Sequence, residues 1–217
     1  LRRLSEVAGQ SALVPTVLTF EPHPREFFAP ASAPARLTTL REKLELLAES
    51  GVTQTMICPF NASFAALSAD DFIERVLVQG CRVKHLIIGD DFRFGRGRTG
   101  DFSLLKAAGQ RFGFTVEAMG SVMVDAERVS SSGVRQALAA GDMERAAVLL
   151  GRPYSLSGHV VHGKKLGRSL GFKTLNLRFS HPGPAALGIF VVQVHGLADE
   201  LLDPLANRGV AMPLSRP

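Results

Sequence analysis

Residues 84–101 read KHLIIGDDFRFGRGRTGD, and this stretch decides the fold. Its apolar run at residues 86–88 is short and bounded by a glycine, which predicts a buried parallel strand. Because ligands in open α/β sheets bind at the carboxyl ends of strands, Asp90 and Asp91 are predicted to lie at a binding edge. The loop that follows interleaves glycines with arginines, a composition that suits phosphate groups. The alternative is a solvated turn before a helix capped by Asp101.

Strand and helix patterns alternate on both sides of this stretch. Helical spacing is found at residues 1–8, after Thr38, after Ser68 and at residues 102–112. Strand patterns fall between them, at residues 14–20, 54–60, 83–88 and 114–119. This alternation predicts a doubly wound α/β domain built on a parallel sheet.

A histidine between two prolines follows the first of these strands, in the sequence Glu21-Pro22-His23-Pro24. The prolines fix the backbone and present the His23 side chain with little conformational freedom to lose. Two interpretations stay open at this point, a ligand-binding histidine and a rigid turn with an exposed ring.

The second strong motif is RVSSSGVR at residues 128–135. Its serines are typical N-cap residues, and they predict a helix over residues 133–140 whose N-terminus can bind an anion. Arg128 and Arg135 flank this helix start, so both are candidates for one phosphate chain. A well-capped helix with surface arginines is the alternative. A further helix is predicted at residues 143–150, ending at Gly151.

The pattern changes after Pro153, and no helical spacing follows. Residues 155–162 alternate as a strand, and residues 189–194 predict another. Gly163, Gly167 and Gly171 recur every four residues among lysines, which makes a basic, glycine-rich loop suited to phosphate. Thr174 and Asn176 alternate with leucines and are predicted to share one face of a strand.

Composition limits the classes of function. The formal net charge is +5, which suits anionic small molecules, but no block of lysines and arginines predicts a nucleic-acid surface. Apolar runs stay well below the roughly 20 residues that span a bilayer, so no membrane contact is predicted. The two cysteines, Cys58 and Cys81, are predicted to be buried thiols in a reducing compartment, the cytoplasm.

Taken in order, the motifs resemble those of the bacterial bifunctional riboflavin kinase/FMN adenylyltransferases, also called FAD synthetases. The segments that carry the resemblance are TFEPHP from residue 19, GDDFRFG from 89, RVSSSGVR from 128, LGRPY from 150 and HGKKLGRSLGF from 162. The resemblance covers nearly the whole chain and weakens after residue 180.

The resemblance implies two activities in FAD biosynthesis: phosphorylation of riboflavin to FMN by ATP, and adenylylation of FMN to FAD by ATP. It implies a nucleotidyltransferase domain at residues 1–151 and a small riboflavin kinase β-barrel, in part, at residues 154–217. The partners it implies are riboflavin, FMN and ATP, while self-association is left open.

The resemblance also implies binding roles for individual residues, although it identifies no catalytic residue. The flavin-binding residues would be His23, Asp91 and Phe92. The nucleotide-binding residues would be Arg128, Ser130, Ser131, Arg135, Gly163, Gly167 and Gly171. Mg²⁺ would be held by Thr174 and Asn176.

Departures from the family pattern keep other interpretations open. Lys173 and Leu175 stand where the family has Pro and Ala, and a lysine there would oppose Mg²⁺. The chain opens in a helix, so the strand with the family's Gly-x-Phe-Asp-Gly-Val-His-x-Gly-His signature is expected to precede Leu1. The kinase carboxylate is expected beyond Pro217. The alternatives are a flavin- or nucleotide-binding protein without complete catalytic sites and, more weakly, an adenylyltransferase for another acceptor.

Overall fold

A computed structural model describes residues 1–89, 91–163, 171, 174–179 and 183–196. The chain divides into two compact units, the first made of Leu1–Pro34 and Thr38–Val122, the second of Ala35–Leu37 and Met123–Pro217. This division follows the packing and assigns the two helices of residues 131–150 to the second unit. The domain boundary drawn from the motifs, between residues 151 and 154, stays a prediction.

The first unit is an α/β structure with two pairs of parallel strands. β1 (Thr16–Glu21) pairs with β2 (Gln54–Pro59), and β3 (His85–Gly89) pairs with β4 (Thr115–Met119). Its α-helices are α1 (Arg2–Gln10), α2 (Pro24–Phe28), α3 (Leu40–Glu49), α4 (Ala62–Ala65), α5 (Ala69–Asp71), which continues as a π-helix (Phe72–Gly80), and α6 (Phe102–Phe112). Short 3₁₀ turns lie at Pro30–Ser32 and Arg96–Arg98.

The core of the first unit lies between the strands and the helices that follow them. Ile73 and Leu105 are its most deeply buried side chains, and Cys58, Phe72 and Phe114 pack around them. The predicted apolar face of the helix after Ser68 is confirmed, since Phe72, Val76 and Leu77 are all buried. Each such side chain contributes about 1.5–3 kcal/mol by leaving water.

Local capping explains where the helices begin and end. Asp101 accepts the Leu104 N–H at 2.9 Å and starts α6, and Gly113 ends it in a left-handed conformation at φ +75°. The start predicted at Thr38 is wrong by one residue, because Thr39 is the N-cap of α3. Thr39 Oγ1 accepts the Glu42 N–H while Glu42 accepts the Thr39 N–H at 2.6 Å, the reciprocal pair of a capping box.

The second unit joins a small hairpin, a helical pair and a second strand pair. β5 (Met123–Val124) and β6 (Glu127–Arg128) are antiparallel, as are β7 (His159–Val161) and β8 (Asn176–Arg178). Between them lie α7 (Ser131–Ala139) and α8 (Met143–Leu150), which bury Leu138, Ala146 and Leu149 against each other and against Ala186.

Two strand predictions in the second unit need correction. The strand predicted over residues 155–162 is reduced to β7, and residues 189–194 form no strand. A strand requires a hydrogen-bonded neighbour, and within the described part of the chain nothing pairs with residues 189–194. Val191 is accordingly 86% exposed.

The fold-class prediction is confirmed at the level of a mixed α/β structure with small parallel sheets. A single doubly wound sheet and the β-barrel stay predictions, since residues 164–170, 172–173 and 197–217 lie outside the described residues. None of the helices in the described part of the chain is long and apolar enough to cross a membrane.

Candidate functional site

The turn after β1 fixes His23 at the carboxyl end of the strand. His23 is the N-cap of α2: its Nδ1 accepts the Arg25 N–H at 3.2 Å, and its own backbone N–H donates to Glu26 Oε2 at 3.1 Å. An accepting Nδ1 assigns the proton of the neutral ring to Nε2. His23 is exposed in a turn held by these hydrogen bonds, which agrees with both interpretations left open by the sequence.

The turn after β3 holds Asp91 and Phe92. The Phe92 N–H donates to the Gly89 carbonyl at 3.1 Å, and a Cβ at Gly89 would lie 3.0 Å from Asp91 Oδ1, so glycine allows this carboxylate to fold back on the strand end. Asp91 is exposed, whereas Phe92 is half-buried and stacks on Phe94 at 5.6 Å. Asp90 lies outside the described residues.

The arginine-rich loop is anchored through its backbone. Phe94 and Gly100 exchange two hydrogen bonds, and the Arg96 N–H donates to the Leu67 carbonyl at 2.7 Å. Arg93 pairs with Asp101 at 3.0 Å. The Leu104 N–H and, after it, Arg93 hold the pKa of Asp101 below its ordinary value. The side chains of Arg96 and Arg98 remain exposed at the surface.

An aromatic cluster at the carboxyl ends of β1 and β2 was not predicted from the sequence. Phe27 and Phe28 of α2 pack edge-to-face with each other at 5.2 Å and with Phe60, which follows β2, at 5.5 and 5.7 Å. Because β1 and β2 are parallel, the segments that follow them start from the same end of the strand pair. Phe28 is 67% exposed. The adjacent phenylalanines at the third and fourth positions after Pro24 were the available signal.

In the second unit, the start of α7 is built from two of the predicted residues. Ser130 Oγ accepts the Gly133 N–H at 3.1 Å, which confirms it as the N-cap. Arg135 is half-buried, and its Nε donates to the Ala35 carbonyl at 2.6 Å while Nη1 donates to the Ser131 carbonyl at 3.1 Å. Arg135 therefore braces the first turn of the helix. Arg128, on β6, is exposed, as is Ser131.

The β7–β8 pair brings together Gly163 and Asn176. Val161 lies opposite Asn176, and a Cβ at Gly163 would overlap the Asn176 side chain, so a larger residue there would require that amide to move. Exposure alternates from Thr174 to Arg178, which puts the Thr174 hydroxyl and the Asn176 amide on one face. Gly171 has a left-handed backbone at φ +80°, and Gly167 lies outside the described residues.

The donors at Thr174 and Asn176 are neutral oxygens, which are hard ligands of the kind that Mg²⁺ accepts. Among the residues that the structure describes, no three His, Cys, Asp or Glu side chains form a group able to hold a metal. Cys58 and Cys81 are both free thiols; Cys58 is buried as predicted, whereas Cys81 is only partly buried, and burial raises the pKa of both.

Comparison with known proteins gives two family matches. Residues 1–133 match a family described as FAD synthetase, and residues 150–216 match riboflavin kinase.

Among relatives, the bifunctional riboflavin kinase/FMN adenylyltransferase of Escherichia coli K12 is 46% identical, covering 96% of this chain and 67% of that protein. The Haemophilus influenzae protein of the same name is 44% identical, with 96% and 68% covered. The chain thus spans about two thirds of the length of these relatives.

A solved structure supports the fold. A crystal structure described as a macrolide-efflux protein from Streptococcus pneumoniae aligns with a TM-score of 0.70 at 27% identity. The alignment covers 88% of this chain and 63% of that one.

Proposed function

The chain belongs to the family of bifunctional riboflavin kinases/FMN adenylyltransferases, and we propose that the start of α7 in the second unit binds ATP phosphates and that the carboxyl ends of β1 and β3 in the first unit bind the flavin. The family's two activities are those of a transferase in FAD biosynthesis: a kinase that makes FMN from riboflavin and a nucleotidyltransferase that makes FAD from FMN.

ATP phosphates bind at the start of α7 in this proposal. The first N–H groups of a helix and its dipole favour an anion, and the Ser130 cap keeps that turn in place. Arg135 braces the turn from within, and the observation that carries the proposal is that Arg128 and Ser131 remain exposed beside it. Arg128 lies two residues before the Ser130 cap, and an arginine guanidinium forms forked hydrogen bonds to phosphate oxygens.

The reaction needs positioning more than a strong base. A phosphate oxygen of FMN attacks the α-phosphorus of ATP, the bond to the β-phosphate oxygen breaks, and pyrophosphate leaves. The attacking oxygen is already anionic, so no proton has to be removed from it. Catalysis then depends on orientation and on stabilising the charge that develops on the phosphates.

The flavin side of the reaction is assigned to the carboxyl ends of β1 and β3. The exposed Phe28 ring and its neighbours Phe27 and Phe60 offer an apolar face for a flat ring system. His23 Nε2–H is a donor for a phosphate or carbonyl oxygen, and Asp91 is an acceptor for a ring N–H. In this assignment Phe92 forms an apolar wall of the flavin site. Its ring is held in place by stacking on Phe94.

The kinase half is assigned to the β7–β8 pair and the glycine-rich loop. Gly163, Gly167 and Gly171 would give backbone N–H groups to ATP phosphates, and Thr174 and Asn176 would hold Mg²⁺ through oxygen. Mg²⁺ held by these residues would neutralise phosphate charge during transfer to a hydroxyl. A cytoplasmic location is part of the proposal and rests on the two free thiols.

The test compares two arginine variants in the full-length enzyme. Arg128→Ala is expected to lower kcat/KM for ATP in FAD formation by about ten- to a hundredfold, as for loss of one charge-stabilising donor, with the unfolding midpoint unchanged. Arg135→Ala is expected to lower both kcat/KM for ATP and the unfolding midpoint, because it also removes the hydrogen bonds to the Ala35 and Ser131 carbonyls. Arg41→Ala, which removes an exposed arginine on α3, is the matched control.

Two outcomes separate this proposal from its alternative. If Arg128→Ala forms FAD as well as the unsubstituted enzyme does, the start of α7 does not bind the ATP phosphates. Binding of ATP and FMN by the unsubstituted full-length protein without FAD formation would favour a binding protein that lacks a complete catalytic site.

A further inference from the structure

Two charged side chains tie the hairpin before α7 to the helix after it. Glu127, on β6, accepts two hydrogen bonds from Arg145 of α8: Nη2 donates to Oε1 at 2.7 Å and Nε donates to Oε2 at 3.2 Å. Both carboxylate oxygens are thus bound by one guanidinium, in the forked geometry that arginine forms with a carboxylate. Neither residue has a role in the ATP and flavin sites proposed above.

The Glu127 carboxylate also lies against the first turn of α7. Gly133 is the third residue of that helix, and a Cβ there would lie 3.4 Å from Glu127 Oε1 and 3.5 Å from the Ser130 hydroxyl oxygen. The N–H of the same glycine donates to Ser130 Oγ, so the carboxylate is next to the residue that completes the helix cap. A carboxylate therefore lies beside the helix start at which ATP phosphates are proposed to bind.

An unpaired carboxylate in this position would compete with a phosphate. The first turn of a helix carries the partial positive charge of its free N–H groups, and any anion there gains from that charge. A second anion then binds less well, because like charges a few ångströms apart repel each other. A carboxylate that is neutralised by a bound guanidinium opposes the phosphates much less.

We propose that Arg145 is a positioning residue for adenylyl transfer: it holds the Glu127 carboxylate in an ion pair and so cancels the negative charge beside the ATP phosphates at the start of α7. The inference rests on the proposed role of that helix start. Arg145 acts through Glu127 and needs no contact with the substrate. Its own backbone is fixed, because its N–H donates at 2.9 Å to Asp142, the N-cap of α8.

The exposure of the pair allows this role to be separated from a structural one. The side chains of Glu127 and Arg145 are 36% and 51% exposed. Ion pairs that are open to solvent contribute little to the free energy of unfolding. Loss of the pair is therefore expected to leave the fold in place while it changes the charge beside the phosphate site.

The experiment measures FAD formation from added FMN by the full-length enzyme, with ATP varied, so that the kinase reaction is not required. Arg145→Gln leaves the carboxylate unpaired and is expected to raise KM for ATP about five- to tenfold. Glu127→Gln leaves the guanidinium unpaired and is expected to lower KM for ATP. The double variant Arg145→Gln/Glu127→Gln restores a local net charge of zero and is expected to return KM for ATP to that of the unsubstituted enzyme.

Two further measurements test the electrostatic cause. The effect of Arg145→Gln on KM for ATP should shrink as salt is added, because ions screen the carboxylate. Arg145→Lys keeps the positive charge without the fork, and its KM for ATP should lie closer to that of the unsubstituted enzyme. Arg41→Gln is the matched control, since Arg41 pairs with Glu45 at 2.8 Å within α3, and it should leave KM for ATP unchanged. Unfolding midpoints check that the variants fold.

A raised KM for ATP in Glu127→Gln, without recovery in the double variant, would overturn the proposal, because the pair would then only hold the hairpin to α8. An unchanged KM in Arg145→Gln would also overturn it. If Arg145→Gln does not fold, Glu127→Gln alone still decides. Arg128→Ala in the same assay separates the two proposals: a raised KM there keeps ATP at the start of α7 even where the role of Arg145 fails, and no effect there removes the site itself.

Discussion

The two units hold their candidate sites in different ways. In the first unit, the candidate residues lie in the turn after β1 and in the loop after β3, and the strands there pair residues far apart in the chain, such as Thr16 with Gln54 and His85 with Thr115. In the second unit, the start of α7 is completed by Ser130 and Gly133 three residues apart. A site built by local hydrogen bonds persists wherever its helix forms, whereas a site at a sheet edge depends on long-range packing.

The largest effects are expected from the two cores. Leu105 and Leu138 are both 0% exposed, one in each unit, and Leu→Ala at such positions costs about 2–5 kcal/mol. We expect Leu105→Ala to speed amide exchange in the first unit and Leu138→Ala to speed it in the second. Val148→Ala, at a half-exposed position on α8, is the control and should change stability little. Equal loss of protection in both units from either variant would show that they unfold as one.

The next effect separates capping from binding. Thr39→Ala and Ser130→Ala each remove a side-chain acceptor at a helix start and should lower the free energy of unfolding by about 1 kcal/mol. Ser130→Ala should in addition raise KM for ATP in FAD formation, because that helix start is the proposed phosphate site, while Thr39→Ala should not. Measuring denaturant midpoints and KM for both variants checks this. A raised KM in both variants would mean that helix stability alone moves the kinetics.

The smallest effect is expected from an ion pair that ties α1 to β4. Glu117 accepts hydrogen bonds from Arg3 at 2.8 and 3.0 Å, and His85 Nε2 lies 3.2 Å away. The Arg3 hydrogen bonds hold the pKa of Glu117 below its ordinary value of 4.5. A carboxyl with a lowered pKa stabilises the fold at pH values above 4.5, and this contribution is lost as the pH falls below it.

Glu117→Gln should therefore lower stability modestly at neutral pH and reduce the further loss seen on acidification. Urea midpoints measured at neutral pH and below pH 4.5 test this, with Glu45→Gln on α3 as a control carboxylate paired within one helix. An unchanged acid response in Glu117→Gln would show that this pair does not couple folding to pH.

Where local chemistry decides, the sequence predicted the structure closely. α6 at Phe102–Phe112 and α8 at Met143–Leu150 begin and end as predicted, because their caps and apolar spacing lie within the helix and its flanking residues. The start of α3 was misplaced since Thr38 and Thr39 both suit an N-cap. The strand predicted at residues 189–194 failed because alternation alone does not provide a hydrogen-bonded neighbour.

In the candidate site, too, local features were predictable from the sequence and long-range contacts were not. Ser130 as a cap and His23 in a rigid turn could be read from their neighbours in the chain. The hydrogen bond from Arg135 to the Ala35 carbonyl could not, since the two residues are 100 positions apart. The cluster of Phe27, Phe28 and Phe60 likewise depends on the parallel pairing of β1 and β2.

The sequence by itself determined the family, the alternation of the four strands with the longer helices in the first unit, and helix caps such as Asp101 and Ser130. Motifs and caps work over a few residues, so their physical basis lies within the printed sequence. Only the tertiary structure decided that Arg135 braces α7 while Arg128 is exposed, that Phe28 lies at the strand edge, and that the Glu127 carboxylate lies beside the first turn of α7. These features depend on which distant segments pack together, and packing between distant residues leaves no local pattern to read.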